Sequence, residues 1–533
     1  MERPIKHYLA VIEQSVRNNW NEPALSDFQE PIAYTYGEMA VQVERLRKWL
    51  VLMNVNKGDK VAICARSCSH WAVAYLAVVT NGSTVVSILP DFTAENIEFL
   101  VKHSDSILLF AGAQVSAKFK KPIEGVTTVN MEDWTVTSGN ATPRLPDGEA
   151  LIPEQINWHG HSLDEIAIIN YTSGTTDKPK GVMLSSRAVS SNVDFALRTI
   201  PNAPGDALLS MLPMAHIFGI MFDFLYQVAG GVHVVFLKKS PTPSLILSGL
   251  SEVKPYMMLC VPLLIEKIVK SKVLPVMRKP VVRLIAHIPL LRRLLFKRIK
   301  AKILDSFGGN LRMFIIGGAA LDPEVEDVLA RIEFPYSCGY GMTECAPLIS
   351  YSPVGTFAKR SVGRAVDGIR IKIDSDKPHE KPGELLVRGD NLFNGYYNND
   401  EANAKAFTED GWFHTGDMGI VDEAGNIRLR GRCKNMILGP SGQNIYPEEI
   451  EAKLNNMPHV TESLVLSREG KLVALVYASY EMAERGAVER QMSDNLVVLN
   501  KMLPHYSQVQ KIELVEEEFK KTPKMSIKRF LYR

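Results

Sequence analysis

The run KVAICARSCSHWAVAYLAVVTNGSTVVSIL, residues 60–89, contains the pattern that decides the fold. Its two ends, KVAICA (60–65) and STVVSIL (83–89), are short apolar runs, and such runs predict buried strands. Between them, WAVAYLAVV (71–79) predicts a helix. A strand, a helix and a second strand at this spacing indicate a parallel sheet that is covered on both faces.

The same pattern extends in both directions along the chain. Upstream, EMAVQVERLRKWLVLMNV (38–55) carries apolar residues at three-to-four spacing and predicts an amphipathic helix. Downstream, further apolar runs predict strands: EIAIIN (165–170), HVVFL (233–237), YMMLCV (256–261) and MFIIGG (313–318). The sequence therefore predicts an α/β protein whose large N-terminal domain contains doubly wound parallel sheets.

The composition changes after about residue 355. KIDSDKPHEKPGELLVRG (372–389) predicts strands joined by Pro/Gly turns, so a β-rich subdomain is expected over about 355–430. Many turn residues follow in FHTGDMGIVDEAGNIRLRGRCKN (413–435). Beyond them, the predicted elements are helices at 446–457 and 494–503 and strands at 462–467 and 471–479. We expect a large domain over 1–433 and a small α+β domain over 434–533.

Composition and charge limit the classes of function. Of 533 residues, 46% are hydrophobic and 23% are charged, as in ordinary soluble globular proteins of several domains. A net charge of +2 gives no bias toward nucleic acid. The six cysteines lack metal-ligand or disulfide spacing, which favours free thiols in a reducing compartment. No signal peptide and no run of ~18 apolar residues is found, so a cytoplasmic protein is predicted.

One segment has a charge balance unlike the rest of the chain. Residues 263–302 contain twelve Lys or Arg and a single acid, Glu266. Its core, RLIAHIPLLRRLLFKRIKAKIL (283–304), mixes cations with bulky aliphatic residues at helical spacing. One interpretation is a basic amphipathic surface that rests on anionic lipid, peripheral to the inner face of a membrane. The alternative is a helix pair that packs on the body of the protein with its lysines in water.

A loop rich in glycine and hydroxyl groups follows the strand predicted at 165–170. It reads YTSGTTDKPKG (171–181) and differs from the common phosphate loop, which needs Gly, four residues, then Gly-Lys-Ser/Thr. Gly174 lets the backbone come close to an anion, and Lys180 supplies a point charge. Hydroxyl donors are provided by Thr172, Ser173, Thr175 and Thr176. Taken alone, the loop fits either a phosphate site or a solvated turn.

SCGYGMTE (337–344) supplies a second group of candidate residues. The aromatic ring of Tyr340, set between glycines, can stack on a purine. Thr343 can bond a phosphate oxygen, and Glu344 can ligate Mg²⁺, a hard cation that prefers oxygen. By itself, Glu344 has a structural interpretation as a residue at a helix start.

A third group lies in FHTGDMG (413–419) and GRCKN (431–435). We expect Asp417 to lie in a turn, where its carboxylate can accept hydrogen bonds from both ribose hydroxyls. Arg432 and Lys434 follow shortly after. Separately, Asp417 could form an Asx turn and Arg432 a surface ion pair. Together and in this order, the three groups indicate a nucleotide site.

These motifs resemble those of the adenylate-forming superfamily, which includes acyl-CoA synthetases, amino-acid adenylation domains and luciferases. The matching stretches are YTSGTTDKPKGV, MLPMAHIFG, IGGAAL, GYGMTE, GWFHTGDMG and GRCKNMILGPSGQNIYPEEIE, and they span essentially the whole chain. The resemblance implies two half-reactions. A carboxylate attacks the α-phosphate of Mg-ATP to give an acyl-adenylate, and a thiol such as coenzyme A then displaces AMP.

The resemblance also implies roles for individual residues. The loop residues Thr172, Ser173, Gly174, Thr175 and Thr176 would hold the β- and γ-phosphates together with Lys180. The residues that would border adenine are Gly318, Ala319 and Tyr340, whereas Thr343 would touch the α-phosphate and Glu344 would hold Mg²⁺. Asp417 and Arg432 would fix the ribose, and His216 would lie near the acyl carboxylate. In this interpretation the protein positions its reactants and neutralises charge on phosphorus.

The small C-terminal domain is mobile in this superfamily. Lys434 matches the hinge about which that domain rotates between the half-reactions. Gly442 would then line the channel for the pantetheine arm of coenzyme A.

Two departures from the superfamily pattern are present. Asp177 stands where a third glycine is usual in the phosphate loop, and we expect it to weaken ATP binding without abolishing it. Near the C-terminus the superfamily pattern is Thr-Pro-x-Gly-Lys-Ile-x-Arg, whereas this chain has TPKMSIKR. Ser526 therefore replaces the lysine that contacts the reacting carboxylate. Losing one preorganised cation costs about 3–4 kcal/mol, or 10²–10³ in rate.

Several motifs and the basic segment further resemble bacterial long-chain fatty acyl-CoA synthetases. The first expectation is therefore activation of a medium- or long-chain fatty acid to its coenzyme A thioester. Alternatives are an acyl–acyl-carrier-protein synthetase and an aryl-acid–CoA ligase. A different class of protein, one that binds nucleotide but adenylates poorly, is suggested by Ser526 and Asp177.

Overall fold

The computed structural model describes residues 4–139, 143–172, 179–239, 242–439, 443–480, 484–521 and 527–532. The described residues form two compact units. The first lies within 4–172, 179–370 and 388–407, and the second within 371–387 and 408–532. The domain boundary and hinge expected at Lys434 fall inside the second unit and stay a prediction.

The strands of the first unit are short. In chain order they are β1 (Pro23–Asp27), β2 (Ala33–Thr35), β3 (Lys60–Cys64), β4 (Thr84–Ser87), β5 (Ser106–Ala111), β6 (Thr127–Asn130), β7 (Val136–Ser138), β8 (Ile166–Thr172), β9 (Lys180–Ser185), β10 (Ala207–Ser210), β11 (His233–Phe236), β12 (Met257–Cys260), β13 (Met313–Ile316), β14 (Tyr336–Cys338), β15 (Tyr340–Gly341), β16 (Leu348–Tyr351) and β17 (Arg364–Ala365).

The helices of the first unit alternate with these strands. They are α1 (Tyr8–Asn18), α2 (Tyr36–Leu52), α3 (Ser69–Thr80), α4 (Ala94–His103), α5 (Ala113–Ser116), α6 (Ser186–Thr199), α7 (Tyr226–Ala229), α8 (Pro243–Val253), α9 (Pro262–Ile268), α10 (Leu274–Met277), α11 (Pro280–Ala286), α12 (Pro289–Ser306), α13 (Pro323–Arg331) and α14 (Asp400–Ala404). A capping box begins α2, where Thr35 and Glu38 each bond the other's backbone N–H.

The largest sheet confirms the strand–helix–strand prediction at residues 60–89. Its strand order is β7-β6-β5-β3-β4-β8-β9, and β3 pairs in parallel with both β4 and β5. Successive side chains of a strand point to opposite faces. Ala62 and Val86 pack with Ile97 of α4 on one face, while Val61 and Val85 are buried on the other. Both faces are therefore covered, as the apolar runs predicted.

Three smaller sheets complete the first unit. One has the order β10-β11-β1-β2, with parallel pairing between β10, β11 and β1. Another, β12-β13-β14, is parallel throughout, and a third, β15-β16-β17, is antiparallel. The predicted strands at 233–237, 256–261 and 313–318 are confirmed as β11, β12 and β13.

The second unit is built mainly from antiparallel strands with two helices. Its strands are β18 (Ile369–Asp374), β19 (Gly383–Gly389), β20 (Phe413–Val421), β21 (Ile427–Arg432), β22 (Ile437–Leu438), β23 (Asn444–Ile445), β24 (Val460–Arg468), β25 (Lys471–Ala478) and β26 (Lys511–Val515). Its helices are α15 (Pro447–Leu454) and α16 (Arg485–Lys501). The sheets are β18-β19-β20-β21, β22-β23 and β24-β25-β26. The β-rich and α+β patterns predicted for this part of the sequence are confirmed.

The turn predicted around Asp417 is wrong, because this residue lies inside strand β20. It pairs with Arg432 of β21, so the turn-forming residues of 413–419 are absorbed into an antiparallel ladder. Gly416 has a positive φ of 70°, and the register shifts between Met418 and Gly419. A bulge of this kind lets a glycine-rich strand continue pairing while it bends.

The core of the basic segment, residues 283–304, lies on two helices, α11 and α12, rather than on one continuous helix. Pro289 begins α12, and Ile288 before it has an extended backbone (φ −93°, ψ 111°), as residues that precede proline prefer. Among the described helices, none combines the length and apolar character needed to span a bilayer. All six cysteines are free, as predicted.

Candidate functional site

The strands that flank the glycine- and hydroxyl-rich loop form an antiparallel pair. Thr172 at the end of β8 lies opposite Lys180 at the start of β9, and Tyr171 lies opposite Gly181. The buried Tyr171 hydroxyl is 2.7 Å from Nδ1 of His103 on α4, which fixes the strand end before the loop. The predicted residues Ser173, Gly174, Thr175 and Thr176, together with Asp177, lie outside the described residues.

Lys180 and Glu344 both contact one tyrosine, Tyr396. The Nζ of Lys180 is 4.7 Å from the centroid of the Tyr396 ring, within the range of a cation–π contact. The Tyr396 hydroxyl donates a hydrogen bond of 3.0 Å to Oε1 of Glu344, which is only 9% exposed. Burial and the Glu344 carboxylate raise the pKa of Tyr396, so its hydroxyl keeps the proton that it donates.

Backbone hydrogen bonds hold Tyr396 in this position. Met183 N donates to Gly395 O at 3.0 Å, and Tyr397 N donates to Gly181 O at 2.8 Å, so the segment follows β9. Phe393 N donates to the carbonyl of Glu344 at 2.9 Å. Sequence analysis missed Tyr396, because FNGYYNND (393–400) matches no phosphate-binding or catalytic motif that would single it out.

Thr343 and Glu344 lie in a short 3₁₀ helix, Thr343–Cys345, and both are buried. The amide of Asn192 on α6 holds the C-terminal end of this turn, because its Nδ2 donates to Cys345 O (3.3 Å) and its Oδ1 accepts from Leu348 N (3.1 Å). These bonds fix the backbone of the turn that carries Glu344.

The other predicted nucleotide contacts of the first unit lie at the carboxyl ends of parallel strands. Gly318 and Ala319 follow β13, and Tyr340 follows β14. Gly318 has a φ of +84°, a backbone conformation that favours glycine. In parallel sheets, ligands bind beyond the carboxyl ends of the strands. This sheet therefore supports the predicted position of these three residues at a ligand-binding edge.

His216 lies in a turn that is tied to the end of β8. Asn170, the buried residue just before Tyr171, donates from Nδ2 to the Ala215 carbonyl at 2.7 Å. The same turn leads into a π-helix, Gly219–Leu225, that contains the buried carboxyl of Asp223. Its Oδ2 accepts from Ser210 Oγ at 2.9 Å and from Leu212 N at 3.1 Å. Because of these bonds, His216 has a fixed place next to the strand that carries the loop.

The second unit brings Asp417 and Arg432 together. Arg432 Nε is 2.9 Å from Asp417 Oδ1, and Arg432 Nη1 donates to Thr415 O at 3.4 Å. Glu384 supports the preceding bend, because its carboxylate accepts from Gly416 N at 2.9 Å and is 3.0 Å from Nδ1 of His414. The Asp417 carboxylate is buried, whereas the Arg432 guanidinium is half exposed.

Of the remaining predicted residues, only Lys434 is described. It lies in a short 3₁₀ helix, Cys433–Asn435, whose last residue bonds Glu448 through Asn435 Nδ2 at 2.7 Å. Gly442 and Ser526 lie outside the described residues. Just after Ser526, Ile527 packs against the buried cluster that contains Leu464 and Val473. Arg529 forms an ion pair with Glu451.

The arrangement in the first unit combines one cation and one buried carboxylate that both contact the same phenol. In the described parts of the chain, no cluster of three or more His, Cys, Asp or Glu side chains could hold a metal ion. Glu344 offers a carboxylate to a hard cation, which could take further oxygen ligands from a bound molecule. Such a site suits a polyphosphate, which brings both negative charge and oxygen ligands.

Known proteins resemble most of this chain in sequence. The family described as AMP-binding enzyme matches residues 12–397. A long-chain-fatty-acid–CoA ligase, FadD15 of Mycobacterium bovis, is 27% identical over 463 residues, 81% of this chain and 75% of its own length. 4-Coumarate–CoA ligase 1 of Arabidopsis thaliana is 26% identical over 538 residues, 95% of this chain and 88% of its own length.

The fold is also found among solved structures. ATP-bound MatB from Rhodopseudomonas palustris superposes with a TM-score of 0.79 at 23% identity, covering 99% of this chain and 98% of that one. This likeness confirms the predicted fold class. Because the family match covers well over half of the chain, the chain belongs to the family of AMP-binding enzymes, as an AMP-forming acid–thiol ligase.

Proposed function

We propose that this enzyme activates a medium- or long-chain fatty acid with ATP and transfers the acyl group to coenzyme A. In the first half-reaction a carboxylate oxygen of the acid forms a bond to the α-phosphorus, and pyrophosphate leaves. In the second, the thiol loses its proton, its sulfur bonds the acyl carbon, and AMP leaves. Because the carboxylate is already a nucleophile, the protein has to position the reactants and neutralise the charge that develops on phosphorus.

The observation that carries this proposal is the set Lys180, Tyr396 and Glu344. Lys180 would neutralise the departing phosphates, which develop negative charge as the bond to the α-phosphorus breaks. Thr343, next to Glu344 in the same buried turn, would bond an α-phosphate oxygen. Tyr396 would hold the carboxylate through its hydroxyl and the cation over its ring.

Glu344 also fits the Mg²⁺ that the superfamily uses. Its carboxylate is nearly buried, and the hydrogen bond from Tyr396 involves only Oε1. A hard cation prefers such oxygen ligands and would share the remaining positions with phosphate and water. When bound, Mg²⁺ would supply neutralising charge to the polyphosphate.

Asp417 and Arg432 would hold the ribose, and Gly318, Ala319 and Tyr340 would border the adenine. The buried Asp417 carboxylate is oriented by Arg432, so an oxygen is presented in a fixed direction to two neighbouring hydroxyls. Rotation about Lys434 and delivery of coenzyme A past Gly442 remain part of the proposal.

Two observations support an aliphatic acid. The helical turn that follows His216 carries buried apolar side chains, including Ile220, Met221 and Phe222. One relative is by name a long-chain-fatty-acid–CoA ligase. The competing candidate, an aryl acid, is favoured by 4-coumarate–CoA ligase 1, which matches a larger share of the chain. A carrier-protein thiol as acceptor stays open as a further alternative.

ATP–pyrophosphate exchange with a panel of acids tests the proposal. The panel contains butyrate, octanoate, palmitate, benzoate and 4-coumarate, each at the same concentration with Mg²⁺. We expect exchange to be fastest with octanoate or palmitate. Exchange with only 4-coumarate or benzoate would show that the substrate is an aryl acid and not a fatty acid.

The second half-reaction is measured separately with a supplied acyl-adenylate and either coenzyme A or a phosphopantetheinyl carrier protein. It does not use the position occupied by Ser526, so thioester should form even if exchange is slow. Failure of both half-reactions with every acid would favour a nucleotide-binding protein that no longer adenylates.

A further inference from the structure

The helix pair α11 and α12 exposes an unusual number of large aliphatic side chains. Six of them lie within residues 281–294 and form what we call the α11–α12 patch: Val281, Leu284, Ile288, Leu290, Leu291 and Leu294. Leu284 is 69% exposed and Leu290 is 71% exposed. An accumulation of exposed aliphatic side chains in one short stretch marks an interaction surface, whereas single exposed residues need no explanation.

The exposure is not caused by a loosely attached helix. Further along α12, Phe296, Ile299, Ile303 and Leu304 pack against the buried cluster that contains Phe307 and Phe314. The C-terminal half of α12 is therefore anchored to the first unit. Its N-terminal half continues the same rigid helix outward and carries Leu290, Leu291 and Leu294 into solvent.

Cations surround the patch, and no acid is near it in sequence. Lys279, Arg292, Arg293, Lys297 and Arg298 form no ion pair with any residue that the structure describes. No Asp or Glu occurs between Glu266 and Asp305. The surface thus combines exposed hydrocarbon with uncompensated positive charge.

We propose that the α11–α12 patch docks the enzyme on the surface of an anionic bilayer. Aliphatic side chains would enter the boundary between headgroups and acyl chains, and the neighbouring Arg and Lys would extend to lipid phosphates. The apolar members of the patch are Val, Leu and Ile, and Leu and Val are under-represented in protein–protein hot spots, so lipid fits the patch better than a folded protein partner. This contact does not depend on the identity of the acid in the proposed function.

Sedimentation with lipid vesicles tests the proposal on the full chain. Vesicles of equal parts phosphatidylglycerol and phosphatidylcholine are compared with vesicles of phosphatidylcholine alone, at low and high salt. We expect binding to the anionic vesicles, weakened by salt. Each cation near the surface contributes about a fivefold factor, so Arg292→Glu with Arg293→Glu should lower the partition coefficient by more than tenfold.

Variants of the aliphatic side chains separate insertion from simple charge attraction. Leu290→Glu with Leu294→Glu should lower binding at least tenfold. Leu52→Glu is the matched control, because Leu52 is 54% exposed and Leu294 is 53% exposed, yet Leu52 lies on α2 outside the patch. Thermal unfolding and pyrophosphate exchange with butyrate should be unchanged in all of these variants, which shows that they fold.

Several outcomes would overturn the proposal. One is a wild-type chain that binds neutral and anionic vesicles equally or not at all. Another is loss of binding in Leu52→Glu as large as in the patch variants. A third is a wild-type chain that binds polyglutamate but no vesicles. If Arg292→Glu with Arg293→Glu abolishes that binding, the patch binds an acidic protein instead of lipid.

Discussion

The hydroxyl of Tyr396 donates a hydrogen bond to Oε1 of Glu344 across 3.0 Å, although 52 residues separate the two in sequence. The same ring lies under the Nζ of Lys180 at 4.7 Å. One side chain therefore positions both a candidate metal ligand and a candidate phosphate ligand. Partners of this kind, which orient a ligand without touching the substrate, typically change activity or metal affinity 10- to 100-fold when they are removed.

Tyr396→Phe keeps the ring next to Lys180 and removes only the hydroxyl. We expect kcat/KM for ATP to fall about tenfold and the Mg²⁺ concentration for half-maximal exchange to rise, because a hydrogen bond to a charged group is worth about 1.5–3 kcal/mol. Tyr397→Phe is the matched control, since that hydroxyl bonds Asp105 at 2.6 Å. Equal effects of the two variants on the Mg²⁺ dependence would contradict the positioning role.

Asp417 and Arg432 should act as one unit in ATP binding. In a double-mutant cycle, Asp417→Ala and Arg432→Ala should each raise KM for ATP at least tenfold, and the double variant should show a coupling of about 0.5–3 kcal/mol. Stability should change by less than about 1 kcal/mol, because the Arg432 guanidinium is half exposed and such ion pairs contribute little.

Arg430→Ala provides the control for that cycle. Arg430 lies two residues earlier on β21 and pairs with Glu449 at 2.9 Å. This variant should leave KM for ATP unchanged. A similar rise in KM would mean that the strand, rather than the Asp417–Arg432 pair, is what ATP binding requires.

Ser526→Lys restores the charge that the superfamily pattern has at this position. We expect ATP–pyrophosphate exchange to accelerate at least a hundredfold, since one preorganised cation is worth about 10²–10³ in rate. Thioester formation from a supplied acyl-adenylate should not change. If wild type and variant exchange equally fast, another cation serves this step. Activity of Lys528→Ala in the wild-type chain would then show whether the neighbouring lysine is that cation.

Asp223 should make stability depend on pH. Burial raises the pKa of its carboxyl to about 7 from an ordinary value of 3.8, against the opposing hydrogen bonds from Leu212 and Ser210. The native state thus holds a proton that the unfolded state releases. The corresponding stability is fully present below about pH 4 and is lost as pH rises through about 7.

Asp223→Asn removes this titration while keeping the shape of the side chain. Urea titration gives the free energy of unfolding of each protein. The wild-type value minus the variant value should fall by up to about 4 kcal/mol between pH 4 and pH 8. A difference between the two proteins that stays constant over this range would show that the Asp223 carboxyl does not titrate there.

The sequence predicted the layers of the fold well and one local feature badly. Apolar runs such as 60–65 and 83–89 are confirmed as buried parallel strands, because burial on both faces demands them. Asp417 was expected in a turn, since glycine and aspartate favour turns locally. Pairing with Arg432 overrides that preference and places the residue in a strand.

The candidate functional residues were also predictable from the sequence only in part. Residue types and their order indicated Lys180, Glu344, Asp417 and Arg432, because phosphate, ribose and a hard cation each require particular side-chain chemistry. Tyr396 carried no such signal, and its role depends on a segment near residue 395 that follows β9.

The elements of the fold and the chemistry available to them can be predicted from residue patterns, because periodicity and side-chain type are local properties of the chain. Which groups meet and which apolar side chains remain in solvent is known only from the folded molecule. Tyr396 reaches Glu344 and Leu290 stays exposed for one physical reason: contact and burial are set by packing between segments distant in sequence, which no local pattern encodes.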